Sequence, residues 1–300
     1  MSIALQVALV MVTILVVLLV IGAPIGVAIG MSSAVSMICM IPADVSFATS
    51  AQRIFAGSNS FSLIAIPFFI LAGNIMNNGG IATRLVNCAK VISGRMPGAL
   101  AQSNVVANML FGAISGSGAA AAAAMGGTIG PLEEKEGYDK NYSTAVNVAS
   151  APVGMLIPPS NTMIVYSSVA GSVSIAALFM AGYIPGLLWG GAVMILAGIM
   201  AKKRGYQAEQ RVPVKVALKT FWQAIPSLLL IVIVIGGILG GIFTATEGSA
   251  IAVVYATVLS LIYKAFKIKD IPRIVLEAAK TTGIITFMIG LSSIMSWAMA

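Results

Sequence analysis

Two short polar clusters stand inside long apolar segments of this 300-residue chain. The first is Ser115-Gly116-Ser117-Gly118, followed by six alanines at 119–124. The second is Leu156-Ile157-Pro158-Pro159-Ser160-Asn161. Neither joins a nucleophile to a base. What both offer is interrupted helix, because glycine lets the backbone turn and proline removes an N–H. A helix break exposes carbonyls on one side and amides on the other. Carbonyl oxygens suit a hard cation, and amides at a helix N-terminus suit an anion. In a bilayer, broken backbone is tolerated only where it is buried in protein or lines a watery cavity. Two breaks close together point to a transport site made of helix ends and freed carbonyls.

The composition agrees with a bilayer setting. The chain is 59% hydrophobic and 9% charged, with a mean hydropathy of +1.01, against roughly 25% charged residues in soluble domains. It reads as an all-α polytopic membrane protein. The net charge of +8 comes from Lys and Arg in short loops, a pattern that sets topology and gives no sign of nucleic-acid binding. The sequence has no histidine, so His-based metal sites and His-dependent acid–base catalysis are excluded. Cys39 and Cys88 are isolated among apolar residues and lack metal-ligand spacing. No acidic pair lies in the apolar core, which argues against an intramembrane enzyme. No GxxxxGK[ST] phosphate loop is present, so the chain does not itself hydrolyse ATP.

The elements that must position the two clusters follow from hydropathy. Residues 4–40 are apolar around Gly22-Ala23-Pro24, giving two short spans with a tight turn or one long kinked helix. Residues 42–60 read as a loop or a surface helix, and residues 61–78 as a span with Pro67 inside it. Arg84, Lys90 and Arg95 then mark an inside-facing region. Residues 97–131 are apolar with the Ser115 to Gly118 break near the middle. Each half is about 15 residues, too short to cross alone, so a re-entrant hairpin is expected. A loop of mixed charge at 133–141 follows. Residues 142–170 form a span broken at Pro152-Val153-Gly154 and again at Pro158-Pro159. Spans at 180–201, 221–241 and 246–263 come next. Two basic loops, Lys202-Lys203-Arg204 with Arg211, Lys215 and Lys219, and Lys264, Lys267, Lys269 with Arg273, are assigned to the cytoplasm. Residues 271–300 begin like the first hairpin and stop where it should turn. The expected domains are therefore 1–96 as scaffold spans, 97–170 as the transport site, 171–270 as linking spans, and 271–300 as the start of a second hairpin. This order predicts an inverted or repeated architecture, read as an inverted repeat, with re-entrant hairpins, discontinuous helices and an incomplete second repeat. An internal inverted repeat also favours a carrier over a channel.

Five short motifs occur in series: Pro67-Phe68-Phe69-Ile70-Leu71-Ala72-Gly73, Ser115-Gly116-Ser117, Leu156-Ile157-Pro158-Pro159-Ser160-Asn161, Ala181-Gly182-Tyr183-Ile184-Pro185-Gly186, and Gly241-Ile242-Phe243-Thr244-Ala245-Thr246-Glu247. In this order the chain resembles the large membrane subunit of TRAP transporters, the tripartite ATP-independent periplasmic transporters. The resemblance covers essentially all 300 residues. It implies a sodium-coupled, elevator-type importer of organic acids in the bacterial inner membrane. It further implies two partners: a periplasmic substrate-binding protein, and a small four-helix membrane subunit that adds scaffold. Family members are longer by a second hairpin and a second broken helix. The alanine stretch after Ser117, the Glu134-Lys135-Glu136-Gly137-Tyr138-Asp139 loop and the Ser160-Asn161 ending resemble the sialic-acid branch. Import of C4-dicarboxylates, or a sodium-coupled carrier without a binding protein, are the alternatives.

Within that resemblance the residues take roles. Sodium, a hard cation, would be held by carbonyls of Ser115, Gly154, Ile157 and Pro159, since the proline pair strips amide donors from carbonyls one turn earlier. The plainer account, a proline kink with small residues for close packing, is preferred for Gly116, Gly118 and the alanines. An organic acid would meet the amides and hydroxyls of Ser117, Ser160, Asn161 and Thr162 at restarting helices. Glu247, at the start of a span, reads equally as a functional ionisable group or as part of a helix cap with Thr246.

Overall fold

The computed structural model describes residues 3–170, 173–206 and 213–300, and Arg211 of the first basic loop lies outside them. Among the described residues the regular structure is helical throughout, with fifteen α-helices and short 3₁₀ turns at Phe61–Ile64 and Ile268–Asp270. In chain order the helices are α1 (Ile3–Val20), α2 (Ile25–Met37), α3 (Ala43–Ser58), α4 (Ala65–Asn78), α5 (Ile81–Ser93), α6 (Ala99–Ser115), α7 (Gly118–Thr128), α8 (Gly130–Lys135), α9 (Lys140–Ser150), α10 (Val153–Leu156), α11 (Asn161–Ala170), α12 (Ile175–Arg204), α13 (Val214–Leu239), α14 (Ala245–Ile262) and α15 (Ile271–Met299).

By length and composition, five helices among the described residues can cross a membrane: Phe61–Asn78, α12, α13, α14 and α15. A sixth crossing arises if Lys140–Leu156 and Asn161–Ala170, bent by 49° at their break, count as one span. This is a multi-pass membrane protein, as the hydropathy predicted.

The chain divides into two compact units, residues 1–64 with 279–300, and residues 65–278. In the first, the apolar stretch at 4–40 resolves into two helices packed on each other, α1 and α2, turning through Gly22 to Pro24. Residues 42–60 form the surface helix α3 and not a loop. Met37, Leu291 and Ile294 make a small core there, with Ile41, Ile54 and Trp297 against it. The guanidinium of Arg53 lies 5.5 Å from the Trp297 ring centre. Residues 271–299, expected to start a hairpin, form the single helix α15.

The second unit carries both polar breaks. Helix α4 packs on α14, and α5 packs on α6 and α13. Helix α6 is the hub, touching α7, α9, α10 and α12. Its apolar side joins α7 in one core containing Leu100, Val105, Phe111, Ala121, Met125 and Ile129. The mixed-charge stretch at 133–141 departs from the expected loop. It forms α8 and the start of α9, and Glu133 on α8 is 1% exposed. A polar and aromatic clasp closes this end. Asp139 caps α9 by accepting from the Tyr142 N–H at 2.9 Å and pairs with Arg204 at 3.1 Å. Tyr138 stacks on Tyr206 with ring centres 4.3 Å apart.

Candidate site at two helix breaks

The first break closes the tip of a helical hairpin. Helix α6 ends at Ser115, and Gly116 takes the left-handed conformation (φ +61°) that lets the chain reverse. Ser117 then caps α7, its hydroxyl accepting from the Ala120 N–H at 3.2 Å. Only glycine fits at 116 for a second reason as well: a Cβ there would lie 2.7 Å from the backbone nitrogen of Asn161.

The second break runs from Ile157 to Ser160, between α10 and α11, and contains a cis Pro158–Pro159 bond. Prolines 158 and 159 cannot donate to the carbonyls of Gly154 and Met155. The chain replaces one of those bonds: the Ser160 hydroxyl donates to the Met155 carbonyl at 2.5 Å. The Ser160 backbone carbonyl in turn accepts the first turn of α11, from the Ile164 N–H at 3.2 Å.

The two breaks meet. The Asn161 side-chain amide donates to the Ser115 carbonyl at 3.3 Å, and Gly112 and Gly154 touch backbone to backbone. Ser115, Ser160 and Asn161 are all buried. The Asn161 side-chain oxygen is buried with no hydrogen-bond partner, an arrangement that costs free energy unless a donor or ion occupies it. Among the described residues no three His, Cys, Asp or Glu side chains come together to hold a metal. Any cation here would rest on backbone and amide oxygens. Oxygen donors of this kind suit a hard cation, and the orphaned oxygen of the same Asn161 amide that donates to the Ser115 carbonyl is the observation that supports the fit.

Pro159 borders a small apolar space with Phe69, Ala72 and Val234. Ile157 is half-buried, beneath Gly186 of α12. Thr162 is exposed and borders a separate, largely apolar cavity with Met155, Met163, Tyr166 and Trp189. Glu247 is exposed and forms a capping box with Thr244, not Thr246: its carboxylate accepts from the Thr244 N–H at 2.7 Å and hydroxyl at 3.0 Å.

Residues that sequence reasoning passed over support the breaks from below. Asn108, fully buried, directs its amide nitrogen at Asn104 Oδ1 (2.9 Å), Asn147 Oδ1 (3.0 Å) and Ser150 Oγ (2.8 Å). The signal was available in the spacing. Asn104 and Asn108 share a face of α6, and Asn147 and Ser150 share a face of α9.

This hairpin and broken span lie within a stretch shared with known proteins. The profile described as "Tripartite ATP-independent periplasmic transporter, DctM component" matches residues 12–300. The chain belongs to this family. It is similar to the C4-dicarboxylate TRAP transporter large permease protein DctM of Rhodobacter capsulatus, with 36% identity over 84% of this chain and 60% of that protein. The sialic acid TRAP transporter large permease protein SiaM of Vibrio cholerae is 37% identical over 84% of this chain and 59% of its own length. A Salmonella typhimurium protein named only as uncharacterized protein YgiK is 51% identical over 89% of this chain and 62% of its length. The chain thus spans about three fifths of the length of these relatives. As a member of this family with five helices able to cross a bilayer among the described residues, it is a multi-pass protein of the inner membrane, and the relatives named here are permeases.

Proposed function

We propose that this chain supplies the first transport repeat of a sodium-coupled, elevator-type importer of an organic acid, with sialic acid or a related sugar acid as substrate. It would work beside a small four-helix membrane subunit and receive substrate from a periplasmic binding protein. The joined breaks are the observation that carries this reading: the Asn161 amide on the Ser115 carbonyl makes hairpin tip and broken span one unit. Sodium bound at the carbonyls of Ser115, Gly154, Ile157 and Pro159 would supply positive charge where α7 and α11 also direct their amide ends. Ser117 and Asn161 would then receive the substrate carboxylate. Ser160 would act mainly through its backbone, because its hydroxyl holds Met155.

Import of a C4-dicarboxylate is the second reading. Three relatives named for C4-dicarboxylates are 36%, 37% and 42% identical, a range that includes the 37% of the sialic-acid relative. The test is uptake into proteoliposomes carrying the chain and its small subunit, with the binding protein outside. Saturable sialic-acid uptake that collapses without a sodium gradient is expected. Uptake of succinate in its place selects the second reading, and saturable uptake indifferent to sodium sinks the coupling.

A further inference from the structure

Below the hairpin, an open cavity of about 360 Å³ is lined by Asn104, Glu133, Tyr138, Lys140 and Ser143 among others. Glu133 borders it yet is 1% exposed, and neither carboxylate oxygen has a hydrogen-bond partner. The Asn104 amide nitrogen and the Ser143 hydroxyl, which border the same cavity, are also buried without partners. A carboxylate this buried, with only the imperfectly aligned Asn104 and Ser143 donors beside it, is costly to keep charged, and neutralisation removes that cost.

The charged and titratable groups around it do not neutralise it. Helices α6 and α7 carry none. Glu134 on α8 and Lys140 on α9 border the cavity, and the ion pair nearby, Arg204 with Asp139, leaves Glu133 out. Tyr138, Tyr142 and Tyr206 form the adjoining aromatic cluster. We propose that Glu133 is a proton-binding site, a carboxyl that takes a proton from the cavity and holds it while α8 is packed against α6 and α9. Desolvation pushes the Glu133 carboxyl above its ordinary value; Ser143 and Asn104 stand close enough to oppose the rise, though neither makes a hydrogen bond of full geometry with it.

Unfolded, Glu133 ionises in the ordinary glutamate range; folded, it keeps its proton to higher pH. The folded state therefore binds more protons across that window, and stability falls as pH rises through it. Infrared difference spectra of the purified protein, titrated in pH, test the site without substrate or sodium gradient, so the outcome is independent of the transport assignment. A protonated-carboxyl band is expected to persist above the ordinary glutamate range and to vanish in Glu133→Gln. The same variant should lose the corresponding fall in melting temperature with pH. Ser143→Ala, which removes a nearby donor and keeps the acid, should move the band's midpoint further up. A band that survives in Glu133→Gln, no band above the ordinary range, or a band erased by sodium at constant pH would each overturn the proposal.

Discussion

Gly112 of α6 and Gly154 of α10 cross with no room for a side chain on either: a Cβ on Gly112 would lie 2.4 Å from the Cα of Gly154, and one on Gly154 would lie 2.3 Å from the Cα of Gly112. Backbone faces backbone, so no rotamer change relieves a clash. This contact holds the hairpin arm against the broken span just below both breaks. Gly112→Ala is expected to cost about 1–3 kcal/mol by overpacking and to abolish uptake. Thermal unfolding in detergent together with transport assays checks both; an alanine tolerated in both would mean that the helices separate freely during the cycle.

Ser160→Ala should leave the half-buried Met155 carbonyl without this partner. The expected loss is about 0.5–1.5 kcal/mol of stability, the net contribution of one hydrogen bond. Ser160→Thr keeps the hydroxyl and should recover part of it. Equal melting temperatures for alanine and threonine variants would show that the 2.5 Å bond contributes little.

Pro159→Ala restores an N–H that can draw the Met155 carbonyl back into a helix. The sodium concentration for half-maximal uptake should rise about tenfold, equivalent to ~1.4 kcal/mol. Substrate capture by the periplasmic protein should not change. Sodium-dependent protection against thermal unfolding gives a second readout. An unaltered sodium dependence of both would place the ion elsewhere.

Thr244→Ala removes the N-cap of α14 and should lower stability by about 0.5–2 kcal/mol. Glu247→Gln retains an acceptor and should leave substrate affinity as in the parent, because the carboxylate serves Thr244. A drop in substrate affinity with melting temperature preserved would assign Glu247 to the binding site.

Cysteines introduced at Lys203 and Lys267 should resist a membrane-impermeant thiol reagent in intact cells. Labelling of both from outside would invert the topology, and with it the side on which the hairpin enters.

The sequence by itself determined the class, the spans and the location of both breaks. Those properties are local: apolar runs must bury their backbone in helices, and glycine or proline must interrupt them. Ser117 as a cap and Pro158-Pro159 as a break could be read from neighbouring residues alone. What faces what is decided by packing between segments far apart in the chain. Only the tertiary structure brought Asn161 to Ser115, 46 positions away, and turned the Ser160 hydroxyl inward to Met155 and Thr162 outward to an apolar cavity. Glu133 shows the limit most clearly. In the sequence it is one of several charges in a polar stretch, where solvation is the natural expectation. Its burial arises because α8 packs against α6, α7 and α9, contacts that no local pattern encodes.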